Sequence, residues 1–125
     1  MSIFKKPISF IATVNSDESR LFYESTLGLT CLSDDPFALV FDLGSTTLRI
    51  QKVESIPDTN YTVLGWEVIS IGKCVDELTK KGVQFEKFSQ LPQDERGIWS
   101  SPGGAKVVWF KDPDGNTLSL TEIVA

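Results

Sequence analysis

The chain has 125 residues, a size typical of one globular domain, and 41% of them are apolar. Its formal charge of −5 at pH 7 argues against a broad phosphate-binding surface, so nucleic acid is not an expected partner. No histidine is present, which removes the Ser-His-Asp triad and the most common ligand of catalytic transition metals. The sequence shows neither a signal-type segment nor a run of about 18 apolar residues, so we predict a cytoplasmic protein that does not contact a membrane.

The first half of the chain predicts a strand, a helix and three further strands. Residues 8–14 are rich in β-branched and aromatic side chains, which favours a strand. Asn15 offers a capping oxygen for the helix that follows, and Gly28 stands where a left-handed residue would end it. Three short strands then alternate with turns at residues 34–36 and 44–45: LTCLS, FALVFDL and TTLRIQKV. The first half, residues 1–54, therefore reads as a βαβββ module.

A polar connector, residues 55–62, precedes a second module over residues 63–125. Its predicted elements are a strand (LGWEVISI), a helix (GKCVDELTKKG), a strand (VQFEKFS), a long loop (QLPQDERGIWSSPGG) and a closing hairpin. The turn of that hairpin lies at residues 112–116, DPDGN, where Pro presets the first turn dihedral. The order β-α-β-β-β is thus repeated.

The two modules also share a short internal repeat. Thr47 and Leu48 align with Thr117 and Leu118, and the turns before them coincide. The repeat favours one pseudo-twofold α+β domain over residues 1–125. The alternative is an α+β meander whose last hairpins look alike because hairpins generally do.

Three segments carry a family resemblance: FYESTLGL (residues 22–29), GWEV (residues 65–68) and FKDPDGNTLSL (residues 110–120). With them the chain resembles the glyoxalase/bleomycin-resistance/dioxygenase superfamily, also called vicinal oxygen chelate. The resemblance implies two βαβββ modules whose eight strands curl into a mixed-sheet cup, with the helices outside, and a homodimer. The shared segments are turns and helix ends, so they specify the fold better than the activity.

Metal-dependent members of that superfamily take their ligands from four strand positions facing the cup. By resemblance these positions fall at Ile8, Arg49, Trp66 and Ser119, with Gln51 replacing Arg49 if the register is shifted by two residues. None of these side chains is an imidazole, carboxylate or thiolate, so we expect no metal, no cofactor and none of the metal-dependent lyase, epimerase or dioxygenase activities. The alternative is a calcium or magnesium site made of loop carboxylates: Asp34, Asp35, Asp94 and Glu95.

Without a metal, the resemblance implies an apolar and aromatic cup that holds a cation and a hydroxyl, which suits a small amphipathic or aromatic ligand. Alternation along the first strand places Phe10 beside Ile8, and Trp99 lies on the loop over the mouth of the cup. Trp109, in contrast, is expected on the opposite, helix-covered face. The predicted ligand-binding residues are Trp66, Arg49, Ser119, Gln51, Ile8, Phe10 and Trp99.

We therefore predict a metal-independent binding protein that sequesters a small molecule, acting as a homodimer. One alternative is an enzyme that works without a metal through Arg49, Gln51 or Ser119. Another is a degenerate module that acts through protein contacts only. In that case the former ligand positions would be filled as core, and Arg49 would pair with a carboxylate such as Glu67.

Overall fold

The computed structural model describes residues 3–123, which divide in sequence into two units after Asp58. Each unit contains one four-stranded mixed sheet and one α-helix, so the described chain has eight strands and two helices. The predicted α+β class and the two βαβββ modules are confirmed. The boundary lies within the predicted connector, while the single domain over residues 1–125 and the division at 54 and 62 stay predictions. No helix in the described range is long and apolar enough to cross a membrane.

In the first unit the strand order is β1-β4-β3-β2, with β1 parallel to β4 and the other pairs antiparallel. The Asn15 side chain accepts a hydrogen bond from the Glu18 N–H at 3.3 Å, which is the predicted helix cap. Gly28 ends the helical segment with a φ of +75°. The elements are β1 (Ile8–Thr13), α1 (Ser16–Leu21) continued by a π-helical turn (Phe22–Thr26), β2 (Thr30–Asp34), β3 (Ala38–Asp42) and β4 (Thr47–Lys52).

The core of the first unit lies on the sheet face that α1 and the π-helical turn cover. The Leu27 N–H donates to the Phe22 carbonyl oxygen at 2.9 Å, five residues back, which widens the last helical turn. Tyr23 is completely buried, and its ring centroid lies 5.8 Å from that of Phe41. Four strand residues on this face are completely buried: Leu39, Phe41, Leu48 and Ile50.

Asp34 links β2 to neighbouring elements through two ion pairs. The Lys52 Nζ lies 2.6 Å from one carboxylate oxygen and the Arg20 Nη1 lies 3.0 Å from the other. These two cations, Lys52 first, hold the pKa of Asp34 below its ordinary value. A carboxyl group with a lowered folded-state pKa stabilises the fold above its unfolded-state pKa and loses that contribution as the pH falls through the folded-state value.

We expect Asp34→Asn to be less stable than the parent protein at neutral pH, and the difference to shrink once the pH falls below the unfolded-state pKa of about 3.9, until it is lost below the lower folded-state pKa. Urea unfolding of both proteins at neutral pH and at about pH 3 measures this. Asp58→Asn is the control, because no ion pair involves Asp58 among the residues described. A stability difference that is equal at both pH values would contradict the assignment.

In the second unit the strand order is β5-β8-β7-β6, with β5 parallel to β8. The Ile71 N–H donates to the Glu122 Oε1 at 2.9 Å, which fixes the start of the helix to the last strand. The face that this helix covers carries the core of the unit, since Val108, Phe110 and Leu118 are completely buried there. The elements are β5 (Thr62–Glu67), α2 (Ile71–Lys80), β6 (Trp99–Ser100), β7 (Ala105–Lys111) and β8 (Thr117–Ile123).

The sixth strand differs from the prediction. The segment VQFEKFS, residues 83–89, forms only a single bridge, Phe85 to Phe110, and the sixth strand is the pair Trp99–Ser100 from the predicted loop. The reason is Gln93, whose side-chain amide takes the place of a neighbouring strand. It accepts from the Phe88 N–H at 2.7 Å, and it donates to the carbonyl oxygens of Glu86 at 2.9 Å and Gly97 at 2.8 Å.

The internal repeat is present in the strand register. The parallel pair β1–β4 begins with Ile8 opposite Thr47, and β5–β8 begins with Thr62 opposite Thr117. Arg49 and Ser119 therefore occupy equivalent positions in the two sheets, as their alignment in the sequence predicted.

Candidate ligand-binding site

Four of the predicted ligand-binding residues share one face of the first sheet. Phe10 lies directly opposite Arg49, and Ile8 and Gln51 lie two residues away on the same strands. This face is turned away from the core formed by Leu48 and its neighbours, and Ile8 and Phe10 are 49% and 55% exposed. The structure thus brings Ile8, Phe10, Arg49 and Gln51 together on one face, as the resemblance and the alternation along each strand implied.

Arg49 is the cation of this face. It is half-buried, with Phe10 on one neighbouring strand and Val40 on the other. Among the described residues of the first unit, no ion pair involves Arg49. Two backbone N–H groups, those of Phe37 and Ala38, lower the pKa of Asp35, and the charge of Arg49 adds to this effect. The arrangement places a positive charge beside the apolar side chains of Phe10 and Val40.

In the second unit, the register corrects two predictions about tryptophans. Trp66 lies opposite Leu120, on the face covered by α2, and therefore does not share a face with Ser119. Trp109 lies opposite Ser119 on the other face, so its expected place in the helix-covered core is wrong. For Trp66 the physical cause is a β-bulge in β5 between Thr62 and Leu64, because one extra residue turns every later side chain of that strand to the other face. Trp109 lies on β7, where the register with β8 is regular, so its face follows directly from its place opposite Ser119.

Gly65, not Trp66, is the residue of β5 that faces Ser119. A Cβ atom at Gly65 would lie 2.4 Å from the Ser119 Oγ, which is closer than real atoms approach. The glycine therefore leaves room for the serine hydroxyl on this face.

Three aromatic side chains form what we call the aromatic cluster: Phe88, Trp99 and Trp109. The ring centroids of Phe88 and Trp109 lie 5.4 Å apart at 84°, and those of Trp99 and Trp109 lie 6.1 Å apart at 35°. All three are half-buried, so part of each ring remains accessible. Trp99 was predicted as a ligand contact on a loop, whereas it lies in β6 opposite Val107. The missed residue Trp109 could have been found by placing it opposite Ser119 in the hairpin.

A cavity of about 330 Å³ lies beside the aromatic cluster on the face turned away from α2. The wall on one side is aromatic, formed by Phe88 and Trp109, and the lining also contains Lys111, Glu86 and Thr117. A second cavity, of about 690 Å³, lies between α2 and Phe85. Its lining includes Arg96, which is already held by Asp76 at 2.6 Å and by the Gly72 carbonyl oxygen at 2.8 Å.

The positions that correspond to metal ligands do not suit a transition metal. In the first unit they carry Ile8 and Arg49, and in the second unit they carry Gly65, by the observed register, and Ser119. None of these offers an imidazole, carboxylate or thiolate. Among the described residues there is also no group of three or more Cys, Asp or Glu side chains that could hold a metal ion. The four loop carboxylates considered above therefore do not form such a group.

No protein-family model and no curated protein matches the chain. Solved structures do. A glyoxalase/bleomycin resistance protein/dioxygenase superfamily member from Sphaerobacter thermophilus is 24% identical, with a TM-score of 0.75 and coverage of 96% of this chain and 98% of that one. An antibiotic binding protein from a Streptomyces species is 19% identical, with a TM-score of 0.72 and 98% of each chain covered.

A lactoylglutathione lyase from Agrobacterium tumefaciens is 17% identical to this chain, with a TM-score of 0.70 and coverage of 94% of this chain and 92% of that one. The structures that resemble this chain thus include both a binding protein and an enzyme, so their likeness defines the fold and leaves the activity open. The suspected resemblance is confirmed at the level of the fold.

Proposed function

We propose that this chain, which has the glyoxalase/bleomycin resistance/dioxygenase fold, binds a small amphipathic or aromatic molecule without a metal. The observation that carries the proposal is the aromatic cluster beside the cavity of about 330 Å³. Accessible aromatic walls with a few polar groups are what small-molecule sites usually show, and stacked or edge-on rings add to the energy of burial. The similar antibiotic binding protein supports this class of function for the fold.

The proposal also includes the ligand-binding residues predicted from the sequence, except Trp66. On the first sheet, Ile8 and Phe10 offer apolar contacts, while Arg49 and Gln51 offer a charge and an amide. On the second sheet, Ser119 offers a hydroxyl and lies opposite Trp109 on the neighbouring strand. A homodimer and a cytoplasmic location belong to the proposal as well, and both rest on the resemblance and the composition rather than on contacts described above.

Replacing Trp109 by leucine should weaken the binding of N-phenyl-1-naphthylamine, a neutral aromatic probe, by about tenfold. Trp109 contacts both other rings of the aromatic cluster and also lines the cavity. Its replacement therefore removes an aromatic contact from Phe88 and Trp99 and part of the cavity wall. Tenfold corresponds to about 1.4 kcal/mol, within the range that one aromatic contact contributes. Probe fluorescence titrated against folded protein measures the dissociation constant.

The matched control is Trp66→Leu, which removes the same side chain from the face covered by α2. This variant should bind the probe as the parent does, provided that its melting temperature shows it folded at the temperature of the titration. Equal weakening in both variants would show that the loss is general and would contradict the site. Failure of the folded parent protein to bind the probe would favour the degenerate module instead.

A further inference from the structure

Lys111 places a positive charge next to the aromatic wall of the cavity. It lies two residues after Trp109 on β7, so both side chains stand on the same face of the sheet. Opposite Lys111 lies Thr117, and both residues line the cavity of about 330 Å³ with Phe88 and Trp109. The cavity therefore combines ring surfaces with an ammonium group.

Lys111 is not neutralised by a close partner. No ion pair involves it among residues 59–123 that the structure describes. Glu86 lines the same cavity, but it belongs to the loop segment, where its N–H donates to the Trp109 carbonyl oxygen at 2.8 Å. Thr62 and Thr117 add hydroxyl groups to the lining. A ligand anion could thus meet both a charge and hydroxyl donors.

We infer that this cavity selects planar aromatic molecules carrying one anionic group, with the ring against Trp109 and the anion at Lys111. The inference rests on the proposed function and names its ligand class. The Glu86 carboxylate would repel a second anionic group, which favours monoanions. The cavity volume, at the small end of the range for ligand sites, suits a molecule of two or three rings.

The test compares two probes that differ by one group. N-phenyl-1-naphthylamine is neutral, and 8-anilino-1-naphthalenesulfonate has the same rings with a sulfonate. At low salt the sulfonate should bind about fivefold more tightly, which is the upper end for a partly solvated ion pair, and added salt should reduce this preference. Lys111→Met keeps the apolar stem and removes the charge, so it should bring the ratio of the two dissociation constants to about one.

Two variants complete the design. Lys106→Met removes a lysine from the same strand but from the opposite face, so the probe preference should stay as in the parent. Glu86→Gln removes the carboxylate from the described lining of the cavity. It should therefore tighten the binding of the sulfonate and leave the binding of the neutral probe unchanged. All variants are compared at temperatures where their melting curves show folded protein, because the sulfonate also binds loosely packed states.

Each result decides between the two claims. Equal binding of both probes by the parent, unchanged in Lys111→Met, would overturn the inference but leave the proposed function standing. Equal loss of preference in Lys106→Met and Lys111→Met would show a general charge effect and would also overturn it. Binding of neither probe would overturn the proposed function itself.

Discussion

Phe110→Ala should lower the free energy of unfolding by about 3–5 kcal/mol, the usual cost of emptying a buried aromatic position. Phe110 is completely buried on β7, next to Leu118 across the strands. Its ring also meets that of Phe85 edge-on, with centroids 5.7 Å apart, at the single bridge that ties the segment after α2 to the sheet. The substitution therefore removes core volume and the anchor of that segment together.

Urea unfolding followed by circular dichroism gives the difference in unfolding free energy. Phe37→Ala is the matched control, because Phe37 is 80% exposed and its replacement should change stability by no more than about 0.5 kcal/mol. A loss below about 1 kcal/mol for Phe110→Ala would show that the ring is not packed as described.

Gly65→Ala is expected to destabilise the second unit by about 1–3 kcal/mol, the usual range for overpacking. The new methyl group would lie 2.4 Å from the Ser119 Oγ and 3.0 Å from the Ser119 carbonyl oxygen. The serine can rotate away, but the carbonyl belongs to the neighbouring strand and cannot move without distorting the pairing of β5 with β8.

A double-mutant cycle with Ser119→Ala separates these two contacts. Removing the hydroxyl should recover part of the loss, which would appear as a coupling of at least about 0.5 kcal/mol between the two positions. Gly103→Ala is the control, since its methyl group would meet only the Ser101 Oγ at 3.9 Å. Purely additive effects at positions 65 and 119 would mean that the two residues do not face each other.

The elements whose signals are local could be predicted from the sequence. Asn15 caps the first helix and Gly28 ends it because side-chain capping and positive φ depend on one or two residues. The equivalence of Arg49 and Ser119 followed from the repeat. The shared face of Phe10 and Ile8 followed from the two-residue period of a strand, whereas the place of Arg49 on that face was implied by the resemblance.

The features that depend on tertiary contacts could not be predicted in this way. The face of Trp66 was wrong because it was assigned by resemblance, and the bulge before it shifts the register so that Gly65 faces Ser119 instead. The sixth strand was misplaced because the Phe88 N–H and the carbonyl oxygens of Glu86 and Gly97 bond to the side chain of Gln93 instead of to a strand. The prediction of the candidate site was less accurate than the prediction of the fold, since a register error of one residue changes which side chains contact a ligand.

The amide of Gln93 has a consequence for how binding should respond to solution conditions. An amide neither gains nor loses a proton over the ordinary pH range, and its hydrogen bonds to Glu86, Phe88 and Gly97 involve no net charge. The support of Phe88 should therefore be insensitive to ionic strength, unlike the ion pairs of Asp34. Any salt dependence of ligand binding near Phe88 would then report on charged groups, namely Lys111 and Glu86 in the cavity or the ion pair of Arg96 with Asp76, and not on the hydrogen bonds of Gln93.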